Sequence, residues 1–354
     1  MQTKSDDLQV LCEWARDLGK TYAFLDFHVH PYDVLSEDTR YKPDPLIDGL
    51  FSRGLFKYHP PALETGSDGL PDKSQSVSDN QRAFILSSRF TYNHTGPKVF
   101  ADQIELVGLA GVMLLPVART SGKAEEMLEV SRLMFLRDGR LLPGCAFPVG
   151  VQPDQLAGFF KGARDVNGIR AIKLHPNLAG INPLTQVGQD LIHASLAAAG
   201  DLNLPMIVHA GRTPCIEPVD SREFGTMTRL ALVDWGISAA PVILAHAGCY
   251  GLTLAESNEA LLIIDSLLEK HSNLMVDVSN LEPPIIRLVL EKISPDRLIF
   301  GSDALYIPIW KAWIRFLKAL QMVSAHPDDD LIRIASLNPA QCLSLTDKSA
   351  RISL

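Results

Sequence analysis

The chain reads as an α/β protein of the closed (β/α)8, or TIM-barrel, class. Three observations predict it: a series of short apolar runs without polar alternation, a helix-sized stretch after each, and a spacing of about 25–35 residues per unit, the size of a crossover. Apolar strands of this kind belong to a parallel sheet covered on both faces. Eight such units in succession favour a ring over an open sheet. No Gly-x-Gly-x-x-Gly follows any run, which speaks against a dinucleotide-binding fold. Hydrophobic residues make up 46% and charged residues 21%, enough to bury a sizeable core, so residues 1–354 are read as one barrel domain.

The units follow in order. An amphipathic helix over 6–19 precedes the first strand, 24–30. Residues 31–97 then change character: Pro43, Pro45, Pro60, Pro61 and Pro71 among scattered Gly, Ser and Asp give turn chemistry, with one helix-like stretch over 79–90. Connections this long are usually lids or disordered, so 31–97 is taken as an insertion or lid after the first strand. Regular alternation resumes with helix 99–107, strand 111–117, helix 124–137 and strand 142–149, the last carrying Pro143 and Pro148. Helix 153–164, strand 169–175, helix 188–202, strand 205–209, helix 222–235 and strand 241–246 come next. Helix 254–271, strand 273–278, helix 283–292 and strand 297–303 complete the eight, and helices fill the remainder.

Charge and cysteine content narrow the function classes. The net charge of −8 argues against a nucleic-acid surface, which needs a basic face, but not against a small anionic substrate. Five cysteines with wide spacing and no Cys-x-x-Cys fit reduced thiols better than a disulfide framework. The first residues, Met1-Gln-Thr-Lys-Ser-Asp-Asp, hold no apolar core of a signal peptide, and no apolar run reaches transmembrane length. The expectation is a cytoplasmic protein with a small-molecule substrate, no membrane or nucleic-acid partner, and a homodimer as the default assembly.

The chemistry lies where the apolar runs end. In Asp26-Phe27-His28-Val29-His30, strand alternation puts Asp26, His28 and His30 on one face and Phe27 and Val29 on the other. Two imidazoles side by side on a strand make half of a metal site. The second strand ends near Arg119, the fourth with Lys173 and His175, the fifth with His209, the sixth with His246 and the eighth with Asp303. A barrel gathers the carboxyl ends of its strands at one mouth, so closure would bring these residues together.

Five segments together resemble the amidohydrolase superfamily, in the amidohydrolase-related branch that includes aminocarboxymuconate-semialdehyde decarboxylase. They are Asp26-Phe-His28-Val-His30, Ile172-Lys-Leu-His175-Pro, Ile207-Val-His209-Ala-Gly, Leu244-Ala-His246-Ala-Gly and Phe300-Gly-Ser-Asp303. Ile334-Ala-Ser-Leu-Asn338-Pro-Ala resembles the family's closing helix, and the likeness runs over 22–345 apart from the insertion. The resemblance implies His28, His30, His209 and Asp303 as metal ligands. It implies Asp303 and His246 as catalytic residues, the first handling the proton of the attacking water and the second contacting water or substrate. Lys173 and His175 are candidates for a second metal or the substrate, Lys173 as a carbamylated bridge in the manner of binuclear members.

Imidazole with carboxylate suits zinc, with manganese or iron also open, and one ion is expected rather than two. Such an ion acidifies bound water and polarises a carbonyl. Asp26 is expected to accept a hydrogen bond from a ligand imidazole and fix its tautomer. Arg119 and Arg212 are candidates for gripping a substrate carboxylate. The function expected is a metal-dependent hydrolase cleaving a C–O or C–N bond of a small molecule. The alternatives are a metal-dependent non-oxidative decarboxylase on the same scaffold and a barrel that binds without catalysis.

Overall fold

Short parallel strands, each followed by helical chain, organise the computed structural model, which describes residues 3–31, 97–213, 216, 218–304 and 306–345. The predicted insertion, apart from its two end residues, and the helix-like stretch 79–90 lie outside the described residues. The strands are β1 Leu25–Val29, β2 Gly111–Leu114, β3 Leu141–Leu142, β4 Gly144–Ala146, β5 Ala171–Leu174, β6 Met206–Val208, β7 Val242–Leu244, β8 Leu274–Asp277 and β9 Leu298–Ile299. Their ladders run β1-β2-β3 and β4-β5-β6-β7-β8-β9.

The predicted strand 142–149 is shorter than expected and divided. Pro143, which has no N–H to give the ladder, separates β3 from β4, while its carbonyl still accepts from Arg170 N–H (2.7 Å). The two ends of the sheet also meet. Phe27 N–H donates to Phe300 O (3.0 Å), Asp303 N–H to His28 O (2.8 Å) and His30 N–H to Ala304 O (2.6 Å), and Val29 forms a parallel bridge with Ala304. With β3 and β4 counted as one interrupted strand, these contacts close a ring of eight.

Alternation along the strands divides the core into two layers. Ala171, Ile207, Ile243, Met275 and Ile299 meet Phe27 and Met113 in the inner cluster. Their neighbours Ile172, Val208, Leu244, Val276 and Leu298 belong to a much larger cluster that includes the helices. Helix 283–292 appears as predicted, Pro283–Lys292, and Thr253 with Glu256 forms a capping box at the start of Leu254–Lys270. No helix among the described residues is long and apolar enough to cross a membrane.

One predicted helix is not continuous. Residues 222–235 fall across a 3-10 turn Val219–Glu223, a short helix Met227–Leu230 and a 3-10 turn Trp235–Ile237. Gly211 N–H donates to Gly225 O (2.6 Å), so the backbone there serves a loop-to-loop bridge instead of a helix. Asp234 Oδ1 accepts from Gly236 N–H (3.1 Å), local capping that competes with helix formation.

The C-terminal segment seals the foot of the ring. Ile334, in a π-helical turn Arg333–Leu337, accepts from Phe300 N–H at its carbonyl (3.2 Å). Asn338 Nδ2–H donates to Pro295 O (2.8 Å) and Leu298 O (2.7 Å), pinning the start of β9. Cys342 joins the inner cluster with its Sγ 3.6 Å from Met275 Sδ.

Candidate metal centre

The inner apolar layer sets the positions of the polar residues at the mouth. Lys173, His209 and Asp277 each stand two residues beyond an inward-facing Ala171, Ile207 or Met275, and so face inward too. His246 stands three beyond Ile243, the wrong parity for a straight strand. The chain solves this by leaving β7 at Leu244 and entering the left-handed region at His246 (φ 58°) and Ala247 (φ 44°). Asp303 likewise has φ 62°, after β9 has ended at Ile299. Gly301 is needed for close approach: a Cβ there would lie 2.6 Å from His28 Cβ.

Strand one departs from the simple alternation expected of it. Its pairing with β2 shifts register between Asp26 and Val29, and Phe27 and Val29 fall in different apolar clusters. His28 and His30 still converge, with ring centroids 5.1 Å apart.

The hydrogen bonds assign the imidazole tautomers. His28 Nδ1–H donates to Asp277 Oδ2 (2.8 Å), and His30 Nδ1–H donates to Leu115 O (2.7 Å). Both Nε2 atoms therefore carry lone pairs. They face one oxygen: Asp303 Oδ1 lies 2.9 Å from His30 Nε2 and 3.5 Å from His28 Nε2. Electron-pair donors this close and this buried call for positive charge, part of which the Lys173 ammonium supplies beside His28 Nε2. Anchored Nδ1–H groups with inward-turned Nε2 lone pairs are the arrangement of metal-binding histidines, and here that of His28 meets Lys173 Nζ–H at 2.8 Å. The ligand atoms of His28, His30 and Asp303 lie within 4.8 Å of one another, as do those of a second group, His28, His246 and Asp277. The donor set of the first group fits a divalent cation.

Burial keeps this cluster electrically unusual. His28 is lowered to about 3 by burial and by the Lys173 ammonium. Burial first, then neighbouring positive charge, lowers His175 and His209, and burial lowers His246. Burial would raise Asp303, but its close contact with His30 and any positive charge on the surrounding rings outweigh it and hold the carboxyl below its usual range. Asp277 is held low in the same way by His28. Lys173, 1% exposed, is lowered to about 8 by burial, and its Nζ–H donates to His28 Nε2 (2.8 Å).

The other expected residues take varied places. His209 is absent from both ligand groups. Its ring stacks on His175 at 3.9 Å, its Nδ1–H donates to His246 Nε2 (3.2 Å), and its Nε2 accepts from Thr213 Oγ1–H (3.2 Å). His246 Nδ1–H donates to Ser279 O (2.9 Å). Arg212, expected at a substrate carboxylate, already pairs with Glu223 (3.0 Å) and Glu256 (2.7 Å). Arg119 is exposed.

Asp26, expected to hold an imidazole, instead accepts backbone N–H groups of Ser302 (2.9 Å) and His28 (3.1 Å). The register shift in β1 is the physical reason, and Asp277 takes the imidazole instead. Sequence reading missed Asp277, although it ends an apolar run as His209 does. It also missed Ser279 and Asn280 just beyond, and two flanking rings. Tyr250 lies 4.7 Å from His246, and Tyr306 5.7 Å from His30.

Comparison with known proteins adds one family match and three structural likenesses. The family described as Amidohydrolase matches residues 26–345. Among curated proteins no sequence matches. Among solved structures, the fold is similar to 4-oxalomesaconate hydratase from Rhodopseudomonas palustris, with TM-score 0.55, 16% identity, and coverage of 91% of this chain and 95% of that one. It is similar to 5-carboxyvanillate decarboxylase from Sphingomonas paucimobilis, with TM-score 0.53, 11% identity, and coverage of 92% and 100%. A dihydroxybenzoic acid decarboxylase from a Polaromonas species, with bound manganese and the inhibitor 2-nitroresorcinol, gives TM-score 0.51, 12% identity, and coverage of 94% and 98%.

Proposed function

Because this chain belongs to the amidohydrolase family, we propose that it is a metal-dependent hydrolase that cleaves a C–O or C–N bond of a small molecule. The observation that carries the reading is the pair of anchored imidazoles, His28 and His30, turning their Nε2 lone pairs on Asp303. These three residues are proposed to hold one ion, zinc by donor chemistry, with manganese or iron as alternates. A divalent ion there supplies a Lewis acid that polarises a substrate oxygen and acidifies water.

The chain's own residues do the rest. Asp303, kept ionised among imidazoles, accepts the proton of the attacking water and returns it to the leaving group. His246, buried and with its Nδ1–H fixed on Ser279 O, is a neutral ring that can contact water or substrate through Nε2 once its hydrogen bond from His209 gives way. Lys173 adds positive charge beside His28, where charge would build on a substrate oxygen. His209 extends the wall through His246, and Tyr250 and Tyr306 flank the mouth.

A second reading, non-oxidative decarboxylation, is supported by two structural neighbours that are decarboxylases. One set of assays separates the readings. Protein loaded with zinc or manganese is given lactones, esters and amides of small acids, and free aromatic acids, in oxygen-18 water. Label entering the product supports hydrolysis; carbon dioxide release without label establishes the decarboxylase reading. Metal analysis tests the centre itself. His28→Ala and His30→Ala are expected to carry well below one equivalent of metal while remaining folded, and Asp303→Asn to keep a measurable amount of metal and lose turnover. Full metal content in both histidine variants contradicts the assignment.

A further inference from the structure

The two oxygens of Asp303 keep different company. Oδ1 faces His30 Nε2 at 2.9 Å and His28 Nε2 at 3.5 Å. Oδ2 accepts a hydrogen bond of 2.9 Å from Asn280 Nδ2–H. Asn280 lies just beyond β8, and its backbone sits in the left-handed region with φ 46°. The turn that carries it is fixed on the same cluster. Ser279 N–H donates to Asp277 Oδ1 (3.0 Å), and Asp277 Oδ1 also accepts from His246 N–H (2.7 Å).

Two demands meet at position 280. The backbone needs a residue that accepts positive φ, and the carboxylate needs a donor reaching across from β8 to the loop after β9. Glycine meets only the first demand. Asparagine is among the few other residues that enter the left-handed region readily, and its amide carries two N–H donors.

We infer that Asn280 is a positioning residue of the metal centre: its amide holds Asp303 Oδ2 and leaves Oδ1 turned toward the two imidazoles. The inference rests on the metal-centre reading above. The terminal torsion of a carboxylate is broad and two-fold, so nothing within Asp303 itself chooses which oxygen faces the histidines. Asn280 makes that choice before any ion arrives. A ligand oriented in advance binds more tightly than one that must be ordered on binding.

The test uses full-length protein stripped of metal and titrated with Mn2+, with free and bound ion followed by electron paramagnetic resonance. Wild type is compared with Asn280→Gly, which keeps the backbone conformation, and with Asn280→Ala. The expected result is a Kd for Mn2+ weakened by about 10-fold or more, the range found when an outer hydrogen-bond partner of a ligand is lost. A broader bound-ion spectrum should accompany it, while the unfolding midpoint of the metal-free Asn280→Gly protein stays unchanged. Affinity and line shape equal to wild type in either folded variant overturn the role. Unfolding of metal-free Asn280→Gly also overturns it, since Asn280 would then be needed for the fold alone. Wild-type protein that takes up no Mn2+ is a distinct outcome, which overturns the metal-centre reading and this role with it.

Discussion

Asp277 links the ring of one histidine to the backbone of another. Its Oδ2 accepts from His28 Nδ1–H, and its Oδ1 accepts from the backbone N–H of His246. Removing it frees the His28 ring to rotate and to change tautomer, which takes the Nε2 lone pair away from Asp303. Asp277→Ala is therefore expected to weaken metal binding by about 10- to 100-fold, read as the Kd for Mn2+ or Zn2+. An unchanged Kd would show that the ring is held elsewhere. The sequence rule of a polar residue closing an apolar run applies to Asp277 as well as to Asp303. Asp26 drew the supporting role because it stands beside the histidine pair. A register shift inside a strand leaves no mark on residue order, so nothing local distinguished the two acids. Asp26 is left with Oδ2 buried and unpartnered, and burial raises its pKa to about 7.

Strands and helices were largely legible because hydrophobic periodicity is local. The exceptions have non-local or steric causes. The helix expected over 222–235 is interrupted where Gly225 pairs with Gly211, a contact that periodicity cannot register. The third strand is divided at Pro143, and beside it Gly144 passes so close to β2 that a Cβ would lie 2.1 Å from Leu114 O. The obstacle there is backbone, which cannot rotate aside. Gly144→Ala is expected to destabilise the protein by about 1–3 kcal/mol, the usual cost of forcing extra volume into a packed core. A lower denaturant midpoint with unchanged slope is the expected observation, and an unchanged midpoint would show that β2 and β4 can separate. The strand ends at His246 and Asp303 were marked by residue type, but not the left-handed turns that aim them inward.

Gathering so many neutral imidazoles in one interior couples folding to pH. His28, lowered to about 3, and His175, His209 and His246, also lowered, take up protons in the unfolded chain near the ordinary value of about 6.5. The unfolded state therefore binds more protons below that value. The stability these rings contribute is present above about pH 6.5 and is lost as pH falls toward their folded values. Asp26, raised to about 7, works the other way, its contribution declining as pH climbs from about 4 to 7. Four rings outweigh one carboxyl, so the melting midpoint of metal-free protein is expected to drop between about pH 7 and pH 5. A midpoint that holds or rises over that interval contradicts the neutral cluster. Closure of the ring was expected from the count of units alone; its bonds join chain segments that no local pattern connects.

Those same bonds give assembly an order in time. His30 leaves the ribosome 273 positions ahead of Asp303. A growing polypeptide thus holds two of the three proposed ligands long before it can complete the set, and tight capture of a cation waits until the last strand has docked against the first. Once captured, an ion on the proposed ligands would rivet the first strand to the segment after the last. Chelation should then loosen this junction before any other, with hydrogen exchange quickening first at the amides of His30 and Asp303, which bond directly across it.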